Sequence, residues 1–82
     1  VAPIVLIDNN ASHTHTVIEV NGRDRPGFLH DVTRALFDLK LTISSAHIAT
    51  FGERAVDTFY VRDLFGHKIS QEGRLKVIED RL

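Results

Sequence analysis

The segment Gly22-Arg23-Asp24-Arg25-Pro26-Gly27-Phe28-Leu29 is the part of this sequence whose residue types could hold a small molecule. It joins a strand-like stretch to a helix-like one. Its backbone N–H groups therefore converge on a helix entrance, where the dipole favours a carboxylate or another anion. Gly27 has no Cβ, so a ligand could approach the main chain there. The same residues also make a structural helix start, with Pro26 in the first turn and Asp24 placed to cap the free N–H groups. Taken alone, the segment leaves both readings open.

The other candidate chemistries are weaker. His13 and His15 lie two apart, a spacing that puts both on one face of a strand and could make half a metal site, yet no third ligand is evident. An exposed strand end is the simpler expectation. His47 has no paired Ser or Cys nucleophile, and Asp57 and Asp63 are too scattered to form an acid/base pair. Glu53-Arg54 reads as a solvated turn. No phosphate loop, dinucleotide-binding glycine pattern or zinc signature is present. No catalytic residue, metal or cofactor is expected, and the chain reads as a binding module rather than an enzyme.

The bulk composition narrows the partners. At 82 residues the chain supports one core, hence a single domain over 1–82. With 43% of its residues apolar and 26% charged, the composition is that of a folded rather than a disordered chain. The formal net charge of -1 argues against nucleic acid or an anionic membrane as partner, since both need a basic surface. The chain has no cysteine, which excludes disulfides and fits a reducing, cytoplasmic setting. No apolar run approaches a membrane span of roughly 18–20 residues, and no signal segment is seen. A domain this small often gains stability from a partner surface, so oligomerisation is expected.

The elements that must position the loop follow from periodicity. Residues 3–8 (Pro-Ile-Val-Leu-Ile-Asp) are a β-branched apolar run ending in a turn-prone cluster, Asn9-Asn10-Ala11-Ser12. A second strand is expected over Thr14 to Asn21, with Thr16, Ile18 and Val20 on one face. Gly22 to Gly27 breaks the pattern, and apolar positions 28, 29, 32, 35, 36 and 39 then mark one stripe of a helix. Leu41 to Phe51 reads as a third strand whose apolar parity shifts between Ile43 and Ala46/Ile48, which predicts a bulge. Gly52-Glu53 turns the chain into a fourth strand, where Ala55, Asp57, Phe59 and Val61 share a face. After a loop around Gly66, Ser70 is placed to cap a last helix carrying Leu75, Val77, Ile78 and Leu82.

The order ββαββα predicts an α+β, ferredoxin-like sandwich: a four-stranded antiparallel sheet with two helices on one face. No strand follows the second helix. The N-terminal strand is expected to take the place of that usual last strand, beside Thr14 to Asn21, and to cover an otherwise open edge.

Several strings in order carry a resemblance. Asp24-Arg25-Pro26-Gly27-Phe28-Leu29, Asp31-Val32-Thr33-Arg34-Ala35-Leu36, Leu41-Thr42-Ile43-Ser44-Ser45-Ala46-His47-Ile48-Ala49-Thr50, Gly52-Glu53-Arg54-Ala55-Val56-Asp57 and Phe59-Tyr60-Val61 together resemble an ACT domain. More narrowly, they resemble the C-terminal ACT domains of the bifunctional PII uridylyltransferase/uridylyl-removing enzymes of bacterial nitrogen regulation. The likeness covers roughly residues 14–69. It departs from the usual pattern at Phe28, where leucine is common, and at His30, where tyrosine is common.

The resemblance implies an effector-sensing module that binds an amino acid, here glutamine, at an interface between ACT domains. Carried over by position, Asp24, Arg25, Pro26, Gly27, Phe28 and Leu29 would face Ile43, Ser44, Ser45, Ala46, His47 and Ile48 of a second ACT domain, in a homodimer or a tandem copy. It also implies a parent nucleotidyltransferase with a uridylyl-removing activity, whose protein partner is the PII signalling protein. Backbone dipoles suit an amino acid, since both of its charged ends can be met without a buried counter-charge.

Three other roles share this architecture or this family. An acylphosphatase needs its own glycine-rich loop before the first helix, which this loop does not resemble. An RNA-recognition domain needs aromatics and basic residues on the open sheet face, where only Tyr60 is expected. An ACT domain used solely as a dimerisation or docking interface, without ligand, has the same sequence features.

Overall fold

The computed structural model describes residues 4–23 and 26–82. Its elements are β1 (Ile4–Asp8), β2 (Thr16–Arg23), α1 (Phe28–Asp38), β3 (Leu41–Phe51), β4 (Arg54–Asp63) and α2 (Glu72–Arg81). The four strands form one antiparallel sheet in the order β1-β2-β4-β3. The N-terminal strand thus flanks β2, with Val5 opposite Val20 and Ile7 opposite Ile18. Pro3, the expected first residue of that strand, lies outside the described residues.

Alternation sets the two faces of the sheet. Ile18 and Val20 of β2 and Ala55, Phe59 and Val61 of β4 pack with Phe28, Val32 and Leu36 of α1 and Ile78 of α2 in one buried cluster. Helix α1 follows the predicted stripe, except that Leu29 stays 40% exposed at its rim. The parity shift in β3 is a bulge: pairing jumps from Ile43 opposite Val61 to Ser45 opposite Tyr60, leaving Ser44 as the extra residue. Past the bulge, Ala46, Ile48 and Thr50 share the helix side of the sheet with Phe59, Asp57 and Ala55.

Element boundaries depart from expectation in several places. Strand β2 runs on through Gly22 and Arg23, because these pair with Ala55 and Arg54 of β4. Helix α1 begins at Phe28, so Pro26 lies in the preceding turn and not in the first helical turn. Gly27 occupies the N-cap position with φ 81°, and the expected cap Asp24 lies outside the described residues. Helix α2 is preceded by Gln71 and not Ser70, since the Gln71 carbonyl accepts from the N–H groups of Arg74 and Leu75. His13 and His15 sit in the connection ahead of β2, so they do not share a strand face. Among the described residues, no group of three or more His, Cys, Asp or Glu is arranged to hold a metal ion. Among them too, no helix is long and apolar enough to cross a membrane.

Two loops are closed by side chains. Asp8 Oδ1 accepts from the N–H groups of Asn10 (2.8 Å) and Ala11 (3.1 Å), which forms the turn after β1. At the end of β4, Asp63 Oδ1 accepts from the N–H groups of His67 (3.0 Å) and Phe65 (2.8 Å). The His67 hydrogen bond is the largest influence holding the Asp63 carboxyl below the ordinary carboxylate range. A carboxyl whose pKa is lower in the folded chain stabilises the fold fully above its unfolded pKa, about 3.9, and loses that contribution as pH falls through the lower folded value. An NMR titration is therefore expected to show Asp63 titrating below about 3.9, with the Phe65 and His67 amide resonances following the same midpoint. Independent midpoints for those amides would contradict the assignment.

Candidate functional site

The entrance of α1 faces a cleft of about 300 Å³ lined by Gly27, Phe28, Leu29, His30, Ile48, Thr50, Ala55 and Asp57. Its wall on one side is the first turn of the helix; on the other it is the β3–β4 hairpin. Asp31 N–H donates to the Gly27 carbonyl at 2.9 Å in the first i→i−4 bond of the helix. The N–H groups of Leu29 and His30 precede that bond, so they belong to the orphan donors of a helix start, where the dipole is positive. Gly27 has no side chain to cap them, and a Cβ built on it would meet no atom within 4 Å, so the main chain is open on that side. The Asp57 side chain, only 1% exposed, also lines the cleft.

The volume is ample for a molecule of amino-acid size. An anionic group is favoured at the helix start. Phe28 and Ile48 add apolar wall, Phe28 being itself buried in the core.

Of the residues singled out from sequence, the fold brings Gly27, Phe28, Leu29 and Ile48 together around this cleft. Pro26 sits exposed in the turn before it, while Asp24 and Arg25 lie outside the described residues. The remaining β3 residues go elsewhere within the chain. Ile43 lines a different groove, of about 480 Å³, with Thr33, Phe37 and Leu64. Ser44 is the bulge residue, and Ser45 and His47 pair with Tyr60 and Thr58 on the helix-free face of the sheet. There the His47 ring meets Tyr60 edge-on at 6.1 Å, and His15 meets the same ring at 6.3 Å. Ala46 is exposed although it shares the helix side with Ile48. Strand β3 is the last in the sheet order, so its outer edge carries no further strand among the described residues.

A model of the ACR family N-terminal ACT domain matches residues 11–82. The chain belongs to the ACT-domain family. It is 67% identical over 82 residues to a bifunctional uridylyltransferase/uridylyl-removing enzyme of Zymomonas mobilis, covering 100% of this chain and 9% of that protein. Proteins of the same description from Azospirillum brasilense and Rhodospirillum rubrum are 66% and 60% identical over the same 82 residues. The chain spans 9% of the length of each. Among solved structures, an unknown protein from Galdieria sulphuraria aligns with a TM-score of 0.62 at 24% identity, covering 80% of this chain and 37% of that one. That likeness concerns the fold alone.

Sequence reading of the ACT site missed His30, Thr50, Ala55 and Asp57. One signal was visible: in the alternating row Ala55, Asp57, Phe59, Val61, a carboxylate occupies a position that the pattern assigns to the core. Periodicity marked Asp57 as inward-facing, but not what lay above it. Thr50 and Ala55 required the hairpin register, which pairs them directly.

Proposed function

We propose that this ACT domain is a regulatory amino-acid sensor, with glutamine as its ligand, in a PII uridylyltransferase/uridylyl-removing enzyme of nitrogen regulation. The cleft between the α1 entrance and the β3–β4 hairpin carries this reading: it has room for an amino acid and sets helix-start amides against an apolar wall. The high identity to proteins of that description supports the parent enzyme, to which catalysis and recognition of the PII protein belong.

A second ACT domain completes the site. Among the described residues no strand pairs with the outer edge of β3, and antiparallel pairing with the same edge of a second copy sets the start of one β3 beside the end of the other. The second copy's Ile43 to Ala46 then lie near Ile48 and Thr50 of the first, at the rim of its cleft. In this arrangement the strand residues expected from sequence reach the loop across the interface and not within one chain. Ligand bound there favours one relative orientation of the two domains. That bias passes to the catalytic domains only to the extent that the ligand binds one orientation more tightly than the other.

Isothermal titration of the assembled protein with L-glutamine tests the reading. The unmodified protein is expected to release heat on binding, and Gly27→Trp to bind ~10-fold or more weakly because the indole fills the cleft. Gly52→Trp is the control: Gly52 also has positive φ (62°) and open space around it, but it lies in the β3–β4 turn and not in the cleft lining. Its binding should match that of the unmodified protein. Absence of heat from the assembled, unmodified protein would leave the domain as a dimerisation or docking interface.

A further inference from the structure

Lys40 is the only non-glycine residue with a positive φ, 65°, among the described residues. It follows the end of α1, where the left-handed conformation suits glycine. Its N–H donates to the Phe37 carbonyl at 3.0 Å, and Arg74 Nη2 donates to its own carbonyl at 3.2 Å. The backbone thus has its partners, and glycine would serve it with less strain. What lysine adds is an exposed ammonium group. It borders the groove of about 480 Å³ that Leu41, Ile43 and Leu64 also line. The carboxylates near it are engaged elsewhere: Asp38 with Arg81 at 3.7 Å, and Asp63 with the amides of its own turn.

The other end of the same strand is its complement. Glu53 is exposed in the β3–β4 turn. Its 3.8 Å pair with Arg23 joins side chains that are 86% and 77% exposed, so water screens it. Arg54 beside it donates instead to Asn21 Oδ1 across the sheet, at 2.7 and 3.2 Å. Ile48, earlier on the strand, is 52% exposed and shares the cleft lining with Leu29, 40% exposed. One end of β3 therefore carries a cation beside an apolar hollow. The other carries an anion and exposed apolar side chains.

An interface with two-fold symmetry has to suit itself, because the same surface meets its own copy. In an antiparallel pair, opposite residues share a face of the sheet, which restricts the register to steps that keep the helix sides together. Ile43 and Thr50 both lie on that side. Setting Ile43 of one copy against Thr50 of the other brings Lys40 beside Glu53 at both ends, and brings the second copy's Ile48 and Leu29 up to the groove. Sliding the strands one step further moves Lys40 toward Arg54, a like charge.

Resting on the reading above that a second ACT domain completes the site, we infer that a second copy of this chain occupies the groove. Lys40–Glu53 ion pairs between the copies, one at each end of the joined β3 strands, select its register.

The test exchanges the charges. In sedimentation equilibrium at low ionic strength, Lys40→Glu and Glu53→Lys are each expected to dimerise on the order of 10-fold more weakly than the unmodified protein, because both ends then hold like charges. An equimolar mixture of the two variants should recover the unmodified affinity as a heterodimer, since each end then joins opposite charges. The chain carrying both substitutions should recover it as a homodimer. A mixture as weak as its components, or single variants as tight as the unmodified protein, overturns the inference and leaves the second ACT domain standing. An unmodified protein that stays monomeric overturns it as well, while heat on titration with glutamine judges the sensor reading separately. Both positions are exposed, and circular dichroism checks that the variants fold. If a reversed charge prevents folding, Lys40→Gln and Glu53→Gln take their place: the loss in the double variant should be smaller than the two single losses together, and strict additivity overturns the inference.

Discussion

Phe59→Ala is expected to destabilise this domain by about 3–5 kcal/mol, the usual range for emptying a buried aromatic site. Phe59 is fully buried, at 0% exposure, in the middle of the central strand β4. It lies opposite Ile18 on one side and Ala46 on the other, within the cluster that joins both helices to the sheet. Ala46 is small and Ile18 is held by its own strand, so neither side can close the gap without moving backbone. A domain of this length has a total stability on the order of 4–12 kcal/mol. The change should therefore consume a large part of it. Urea unfolding followed by circular dichroism should show a lower midpoint with an unchanged slope. Phe37→Ala is the matched comparison, since Phe37 is 77% exposed on α1; it should stay within about 0.5 kcal/mol of the parent. Similar losses for the two would mean that the core does not lie where the sheet and helices place it.

Thr16→Val is the second large effect, expected at about 2–4 kcal/mol although the side chains are nearly isosteric. Thr16 is fully buried, at 0% exposure, and its hydroxyl does two things at once. It donates to Asn9 Oδ1 at 2.6 Å and accepts from the Ile69 N–H at 3.0 Å. Asn9 Nδ2 in turn donates to the Ile69 carbonyl at 2.6 Å, and Lys68 Nζ donates to the carbonyls of Ser12 (2.6 Å) and Asn9. This network fastens the loop before α2 to the β1–β2 connection. A methyl group in place of the hydroxyl leaves the buried Ile69 N–H and the Asn9 amide oxygen without that partner, which costs more than the bonds contributed. Hydrogen exchange at the Ile69 amide should accelerate more than at Val61 in the sheet core. Thr14→Val, at an exposed threonine two residues earlier, should change stability by about 0.5 kcal/mol or less. If Thr16→Val proves equally mild, the network is a surface decoration and not a fastening.

This network also marks a limit of sequence reading. Asn9 and Thr16 were assigned to a turn and a strand on local grounds, and nothing in their types named Ile69 as their partner. Hydrogen-bonding side chains are promiscuous, and distant backbone donors become available only once the loop has been laid down.

The strand and helix positions were legible because they depend on local periodicity. The stripe of α1, the alternation of β2 and β4, and even the bulge at Ser44 follow from which residues must face a common core. The placement of β1 beside β2 was legible too, since a short connection favours pairing of consecutive strands. Helix boundaries were off by one or two residues, because the chain leaves β2 later and enters α1 later than its turn residues suggest.

The cleft shows where that reasoning runs out. From the residues alone came an α+β domain of one core, with a glycine at the mouth of a helix suited to an anion, and resemblance added the ACT type. Which strand residues stand opposite Gly27 was decided by the tertiary structure. The sheet order and the β3–β4 register bring Ile48, Thr50 and Asp57 to the helix start, while Ile43 is carried to a different groove. The physical reason is that periodicity tells a residue which face it takes, whereas what it meets on that face depends on contacts between segments far apart in the chain. Asp57 is the chief case: its side of the strand was written in the sequence, and its place in the lining of the cleft was not.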